Sequence, residues 1–100
     1  MPNIKFSYLY RDGGNYKRFG YVIFRYSVGV NLYELNKLVR SKLVDETWFY
    51  ADRWKLPDLR FNSWDNEMDH NFHEFESIEH THEPPNISIT SAEFKTLIGN

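Results

Sequence analysis

The sequence predicts an α+β domain with an N-terminal β-hairpin, one amphipathic helix and one or more further strands, in the order ββαβ. Three observations carry this. Ile4, Phe6, Tyr8 and Tyr10 alternate with Lys5, Ser7 and Leu9, and a second β-rich run, FGYVIFRYSV, follows the turn-forming Asp12-Gly13-Gly14-Asn15. After Gly29 the period becomes helical, with Leu32, Leu35, Leu38, Val39 and Leu43 recurring on one side. Two later segments, WFYA at 48–51 and HEFESIEHT at 73–81, return to β-type composition. A helix packed on one face of a mainly antiparallel sheet buries these apolar faces together. The element order is like that of a β-grasp, the ubiquitin-like architecture. A length of 100 residues suits one domain, and an aromatic content of 18% predicts a core built largely from rings.

Each element has a local reason. Glycine and asparagine supply the positive φ that the hairpin turn needs. In the second strand Val22, Phe24, Tyr26 and Val28 share one face while Tyr21, Ile23, Arg25 and Ser27 share the other, so the less polar face is expected inside, with Gly20 marking a bulge or a bend. Asn31 followed by Glu34 reads as an N-cap with its capping-box partner, the cap alone contributing about 1 kcal/mol. Glu34, Lys37, Arg40 and Ser41 form the outward side of that helix, which ends before Asp45-Glu46. Pro57 extends Leu56 and prevents a helix through DRWKLPDLRF, so a loop or short edge strand is expected, with Trp54, Leu56, Leu59 and Phe61 covering one end of the core.

Two periods compete over 64–82. Trp64, Met68, Phe72 and Phe75 have helical spacing, whereas HEFESIEHT alternates. We expect a turn or short helix over 63–69, then a strand from about 71 to 82 that Pro84-Pro85 stops. Residues 1–83 form the expected domain. Residues 84–100 form a C-terminal tail, docked or partly ordered, with Ile87 and Ile89 in a short strand and Ser91, Phe94, Leu97 and Ile98 in a last helical turn or two.

The unusual chemistry is concentrated at 61–83. All four histidines, His70, His73, His80 and His82, lie there with seven of the fourteen acidic residues and no lysine or arginine. Residues 1–60 carry eleven Lys and Arg against six Asp and Glu, giving +5; residues 61–100 carry one against eight, giving −7. Such segregation lays an acidic ribbon across basic elements of the same domain, or reserves two faces for different partners. Histidine titrates near neutrality, so the charge of the ribbon follows pH.

Composition also excludes. Without cysteine there is no disulfide, no thiolate zinc site and no thiol nucleophile. No GxSxG, phosphate-cradling glycine loop or dinucleotide fingerprint occurs, and no cofactor is expected. The opening MPNIKFSYLY lacks a charged leader, and no run approaches the roughly 20 apolar residues of a membrane span. We therefore expect a soluble protein of the cytoplasm, bacterial or of a phage-infected host, with no membrane partner.

Three readings of the candidate residues follow. The leading one is a non-catalytic interaction surface made by Asp65, Glu67, Asp69, Glu74 and Glu76 with Trp54, Trp64 and Phe72, whose carboxylates would occupy a basic groove that otherwise takes phosphates. A second is RNA binding by the hairpin, where Lys5, Tyr8, Tyr10, Arg11, Lys17, Arg18 and Arg25 interleave cations with rings that stack on bases, although the overall charge of −2 opposes it. The third is a metal-dependent hydrolase that uses the HxxH pair His70 and His73 or the HxH pair His80 and His82, with Asp69, Glu74 or Glu76 completing a zinc, manganese or iron site. The HxxH spacing lacks the glutamate of HExxH, and on a strand His70 and His73 point to opposite faces.

At WFYADRWKLPDLRFNSWDNEMDHNFHEFESIE, with IKFSYLYRDGGNYKRFG near the start, the chain resembles a group of short uncharacterised bacterial and mobile-element proteins. That group shares a strand-DGGNY-strand opening and an FYA…W.LPDL…WD…DH..HEFE centre. The resemblance covers most of residues 3–80 and carries over no catalytic or binding residue. It implies a regulator or inhibitor of a larger bacterial protein or ribonucleoprotein, including an anti-CRISPR or other anti-defence role.

Overall fold

A computed structural model describes residues 2–60 and 72–99. Strand β1 (Asn3–Arg11) lies inside the sheet between β2 (Lys17–Phe24) and β4 (Phe72–Thr81), and the short β3 (Trp48–Tyr50) pairs with the far side of β4. All neighbouring strands are antiparallel, in the order β2-β1-β4-β3. Helices α1 (Leu32–Ser41) and α2 (Ser91–Gly99) complete an α+β fold with the expected N-terminal hairpin. Strand direction departs from a β-grasp, whose first and last strands run side by side and parallel; here β1 and β4 are antiparallel.

Local chemistry sets the element ends. Asp12 closes the hairpin turn, its Oδ1 accepting from the N–H groups of Gly14 and Tyr16 at 2.9 Å each, while Asn15 takes the positive φ of 68°. Asn31 caps α1 by accepting from the Glu34 N–H at 3.1 Å. Beyond Phe24 the pairing changes partner: Arg25 bridges Thr90, and the Tyr26 N–H donates to the Asn3 side chain at 2.9 Å. Tyr26 and Val28 therefore leave the expected inward face, and Val28 is 90% exposed.

Gly20 is neither a bulge nor a bend. Its pairing with Tyr8 sits in an unbroken β1–β2 register, and the space beside it holds Leu59, whose Cδ atoms lie 2.7 and 2.9 Å from where a Cβ would be. The irregularity lies in β4 instead. Ser7 pairs with Ser77 but Tyr8 pairs with Phe75, so Glu76 is the extra residue of a bulge. Because side chains alternate, this single insertion turns Phe75 and His73 toward the core and Glu74 and Phe72 away from it.

Among the described residues both helices lie on one face of the sheet, while Leu9 and Ile23 are buried on the other at 8% and 2% exposure. Phe6 sits at the centre of the helix side, fully buried, with the rings of Tyr8, Phe49, Trp54, Phe75 and Phe94 at centroid distances of 5.3 to 6.3 Å. Leu35 and Val39 of α1 complete the layer from above. A one-turn 3₁₀ helix at Ala51–Trp54, within the loop expected from Pro57, delivers Trp54 into the core, where it stacks on Phe49 at 4.7 Å.

The C-terminal segment is docked. Ile87 and Ile89 pack on the core without forming a strand; Asn86 and Thr90 make single-residue pairings to the β2 edge instead. Thr90 and Glu93 form a capping box, the Glu93 N–H donating to Thr90 Oγ1 at 3.2 Å and the Thr90 N–H to Glu93 Oε1 at 3.0 Å. Helix α2 then places Phe94 against Phe24, 4.4 Å between ring centres, and buries Ile98. One core spans both sides of Pro84-Pro85.

Two outcomes are expected in urea unfolding. Phe94→Ala should cost about 3–5 kcal/mol, as for other buried rings, with the whole sheet unfolding in the same transition. Gly20→Ala should cost about 1–3 kcal/mol through overpacking against Leu59, and most of that cost should vanish in a Leu59→Ala background.

Candidate functional site

Two regions gather the residues singled out by chemistry. The first is enclosed. The bulge sends His73 inward, 2% exposed, with its ring 5.2 Å from Tyr10, 5.8 Å from Tyr8 and 6.1 Å from Phe49. Its Nε2 accepts the Leu59 N–H at 3.0 Å and stands 3.5 Å from Asp58 Oδ1. A nitrogen that accepts carries no proton, so a charged pair with Asp58 forms only when the imidazole takes one up. The Tyr8 hydroxyl donates to the Pro57 carbonyl at 2.6 Å, and burial followed by the Asp58 charge pushes that phenol well above its ordinary pKa, which keeps it a donor.

Asp58 itself is half exposed. Burial opposes its ionisation, but the Arg60 backbone N–H at 2.8 Å and guanidinium Nε at 2.6 Å, with the positive charge of Arg60, hold its pKa below the usual value. Ala51, Asp52, Leu56, Asp58, Arg60 and His73 line a cavity of about 230 Å³. The His73 lone pair is engaged by the main chain there, so His73 works as a clamp that straps residues 57–60 across the sheet.

These placements revise the metal reading. His73 is sealed in the core, whereas His80 and His82 are exposed at the other end of β4, and seven residues at about 3.3 Å each separate His73 from His80. Among the described residues no three His, Cys, Asp or Glu side chains come together as a metal-holding group. His70 and Asp69 lie outside the described residues.

The RNA reading is revised as well. Tyr8 and Tyr10 are 0% and 1% exposed, packed against the buried His73 ring, and cannot stack on bases. Lys5 reaches Glu83 at 3.3 Å and covers the Tyr21 ring at 4.3 Å, and Arg11 pairs with Glu74 at 2.8 Å, whereas Lys17, Arg18 and Arg25 are exposed. The rings that do reach solvent on the hairpin are Tyr16, Phe19 and Tyr21, at 72%, 62% and 47%. Their signal was present in the alternation of β2, where Phe19 and Tyr21 fall opposite to the buried Val22 and Phe24.

The second region lies at β3 and β4, on the sheet face turned away from the helices. Phe72 lies half buried between Trp48 at 6.2 Å and Tyr50 at 4.8 Å, and the Arg53 guanidinium covers Tyr50 at 4.6 Å. Arg11, Trp48, Phe72 and Glu74 line a shallow depression of about 200 Å³. Glu76 is exposed at the bulge. Trp54, grouped with this surface by sequence, is instead 8% exposed within the core, since the 3₁₀ turn points it inward. Trp48 and Tyr50 take its place. Asp65, Glu67, Asp69 and Trp64, like the turn or helix expected at 63–69, lie outside the described residues. Over its described residues, 72–83, the acidic ribbon does lie across basic elements, with Glu74 bound to Arg11 and Glu83 to Lys5.

Comparison with protein-family models, curated proteins and solved structures found no match. Among the described residues no helix is long and apolar enough to cross a membrane.

The strap makes a pH prediction. Because the folded-state pKa of Asp58 is depressed, its contribution to stability is present above the unfolded-state value and is lost as pH falls through the folded one. Asp58→Asn should therefore be less stable than the parent at neutral pH, with the gap closing below about pH 4. Urea midpoints across an acid pH series check this; a gap of constant size would assign the loss to something other than the charge.

Proposed function

We propose that this chain is a non-catalytic interaction protein, a regulator or inhibitor that engages a larger protein or ribonucleoprotein through the acidic, aromatic end of its sheet. One juxtaposition supports the reading: the contacting, half-buried rings of Trp48, Tyr50 and Phe72 lie beside Glu74 on the sheet face turned away from the helices, with Glu76 exposed at the adjoining bulge. Aromatic residues of this kind dominate binding energy at interfaces, and flanking carboxylates steer a basic partner and fix its register. A partner whose basic groove handles nucleic acid has the matching charge.

The engagement of His73 by the Leu59 N–H favours this reading over hydrolysis, because the imidazole holds the protein's own chain. Affinity capture from lysate with identification of the co-purifying protein or nucleic acid tests it. Phe72→Ser combined with Glu76→Lys should lose the partner that the parent retains, and raised salt should weaken the parent's capture, while Tyr33→Ser on the exposed side of α1 should retain it. Equal capture by both variants, each shown to be folded by circular dichroism, rejects the proposal.

A further inference from the structure

The opposite edge of the sheet presents a different binding chemistry, independent of the acidic surface. Strand β2 is an edge strand, and the upper half of that edge is already paired with polypeptide. Asn86 brackets Ile23, its N–H donating to the Ile23 carbonyl at 3.2 Å and its Oδ1 accepting the Ile23 N–H at 2.6 Å; the Ser91 N–H donates to the Arg25 carbonyl at 3.1 Å. Backbone groups alternate along a strand, so the outward orientation of Ile23 fixes that of Lys17, Phe19 and Tyr21. The Tyr21 carbonyl takes the Asn86 side-chain N–H at 3.5 Å, and below it the same ladder of donors and acceptors continues along exposed residues.

Charge and shape restrict the occupant. Residues 13–33 carry Lys17, Arg18 and Arg25 and no acidic residue. Lys17 pairs with Arg11 on the face turned away from the helices, while Arg18 pairs with Tyr10 on the helix side, so both faces of an added strand would meet a cation. Phe19 and Tyr21 offer exposed rings on the same face as Lys17. A second copy would bring the same two cations and repel itself, whereas edge backbone groups match a polypeptide better than a phosphodiester chain.

We propose that residues 17–21 of β2 take an extended acidic peptide, which adds to the sheet as an antiparallel strand. Read from its N-terminus, such a peptide faces Tyr21, Gly20, Phe19, Arg18 and Lys17 in turn. Its pattern is therefore an apolar residue, any residue, an apolar residue and two acidic residues.

A fluorescein-labelled peptide containing Val-Thr-Val-Glu-Glu, titrated by fluorescence anisotropy, tests this. Saturable binding is expected, weakened at least about tenfold by Lys17→Glu with Arg18→Glu, and recovered in that variant by the peptide bearing two lysines in place of the glutamates. Phe19→Pro removes an outward N–H while leaving the β1–β2 bonds in place, and should weaken binding to a similar degree. Should Phe19→Pro fail to fold, the charge-swap pair decides the matter alone. No saturable peptide binding, equal binding by folded Phe19→Pro, failure of the charge swap to recover binding, capture of oligothymidylate in place of the peptide, or a dimer in sedimentation that the charge reversal abolishes would each overturn the proposal.

Discussion

The one-residue bulge at Glu76 is the constraint from which the arrangement of this protein follows. Strands β1 and β4 form the centre of the sheet, and an unbroken register between them would direct Glu74 and Glu76 toward Phe6 and the helices while exposing Phe75 and His73. Burying two carboxylates in an aromatic core has a large desolvation cost. The bulge avoids this by leaving Glu76 unpaired, returning Phe75 to the Phe6 cluster and turning Glu74 toward Arg11, 2.8 Å away. Arg40 of α1 then lies over the Phe75 ring at 5.1 Å, so the helix layer rests on a position that the bulge created.

The same shift creates the strap. With His73 facing inward, its Nε2 meets the Leu59 N–H, and Tyr8, its neighbour in the core, holds the Pro57 carbonyl. Leu59 can then lie over Gly20, the position in β2 that has no side chain to obstruct it. Three strands are thus linked to one irregular segment by two hydrogen bonds and one close contact. Such an arrangement gives an otherwise unstructured stretch a defined path, and it accounts for a buried histidine without assigning it catalysis.

Charge is sorted across the sheet in a related way. The acidic β4 lies beside β1, and its pairs with Arg11 and, just beyond its end, between Glu83 and Lys5 neutralise part of the ribbon. Both pairs are partly solvated, so each contributes modestly to stability. Their larger consequence is spatial: carboxylates and half-buried rings gather toward the β3 side, while uncompensated cations and exposed rings gather on β2. Both helices lie on the opposite face of the sheet from the Arg11–Glu74 pair and the exposed Phe19 and Tyr21.

The hairpin, the capped helix and the β-type segments at 48–51 and 73–81 were legible in the sequence because each rests on contacts between near neighbours: glycine and asparagine in a turn, Asn31 with Glu34, alternation along a strand. The capping box at Thr90 and Glu93 was equally local and announces α2, although the reading centred on Ser91 gave it only a turn or two. The candidate site was less legible. Tyr8 and Tyr10 look like stacking rings beside cations, and Trp54 like a surface anchor, until long-range packing puts all three in the core and brings Trp48 and Tyr50 to Phe72. The sequence by itself determined the α+β class, the single aromatic core and the segregation of charge. Tertiary structure alone decided the bulge, the inward turn of His73 and the docking of α2, because a one-residue change of register depends on which faces of distant strands must exclude charge, and alternation within one segment carries no information about that.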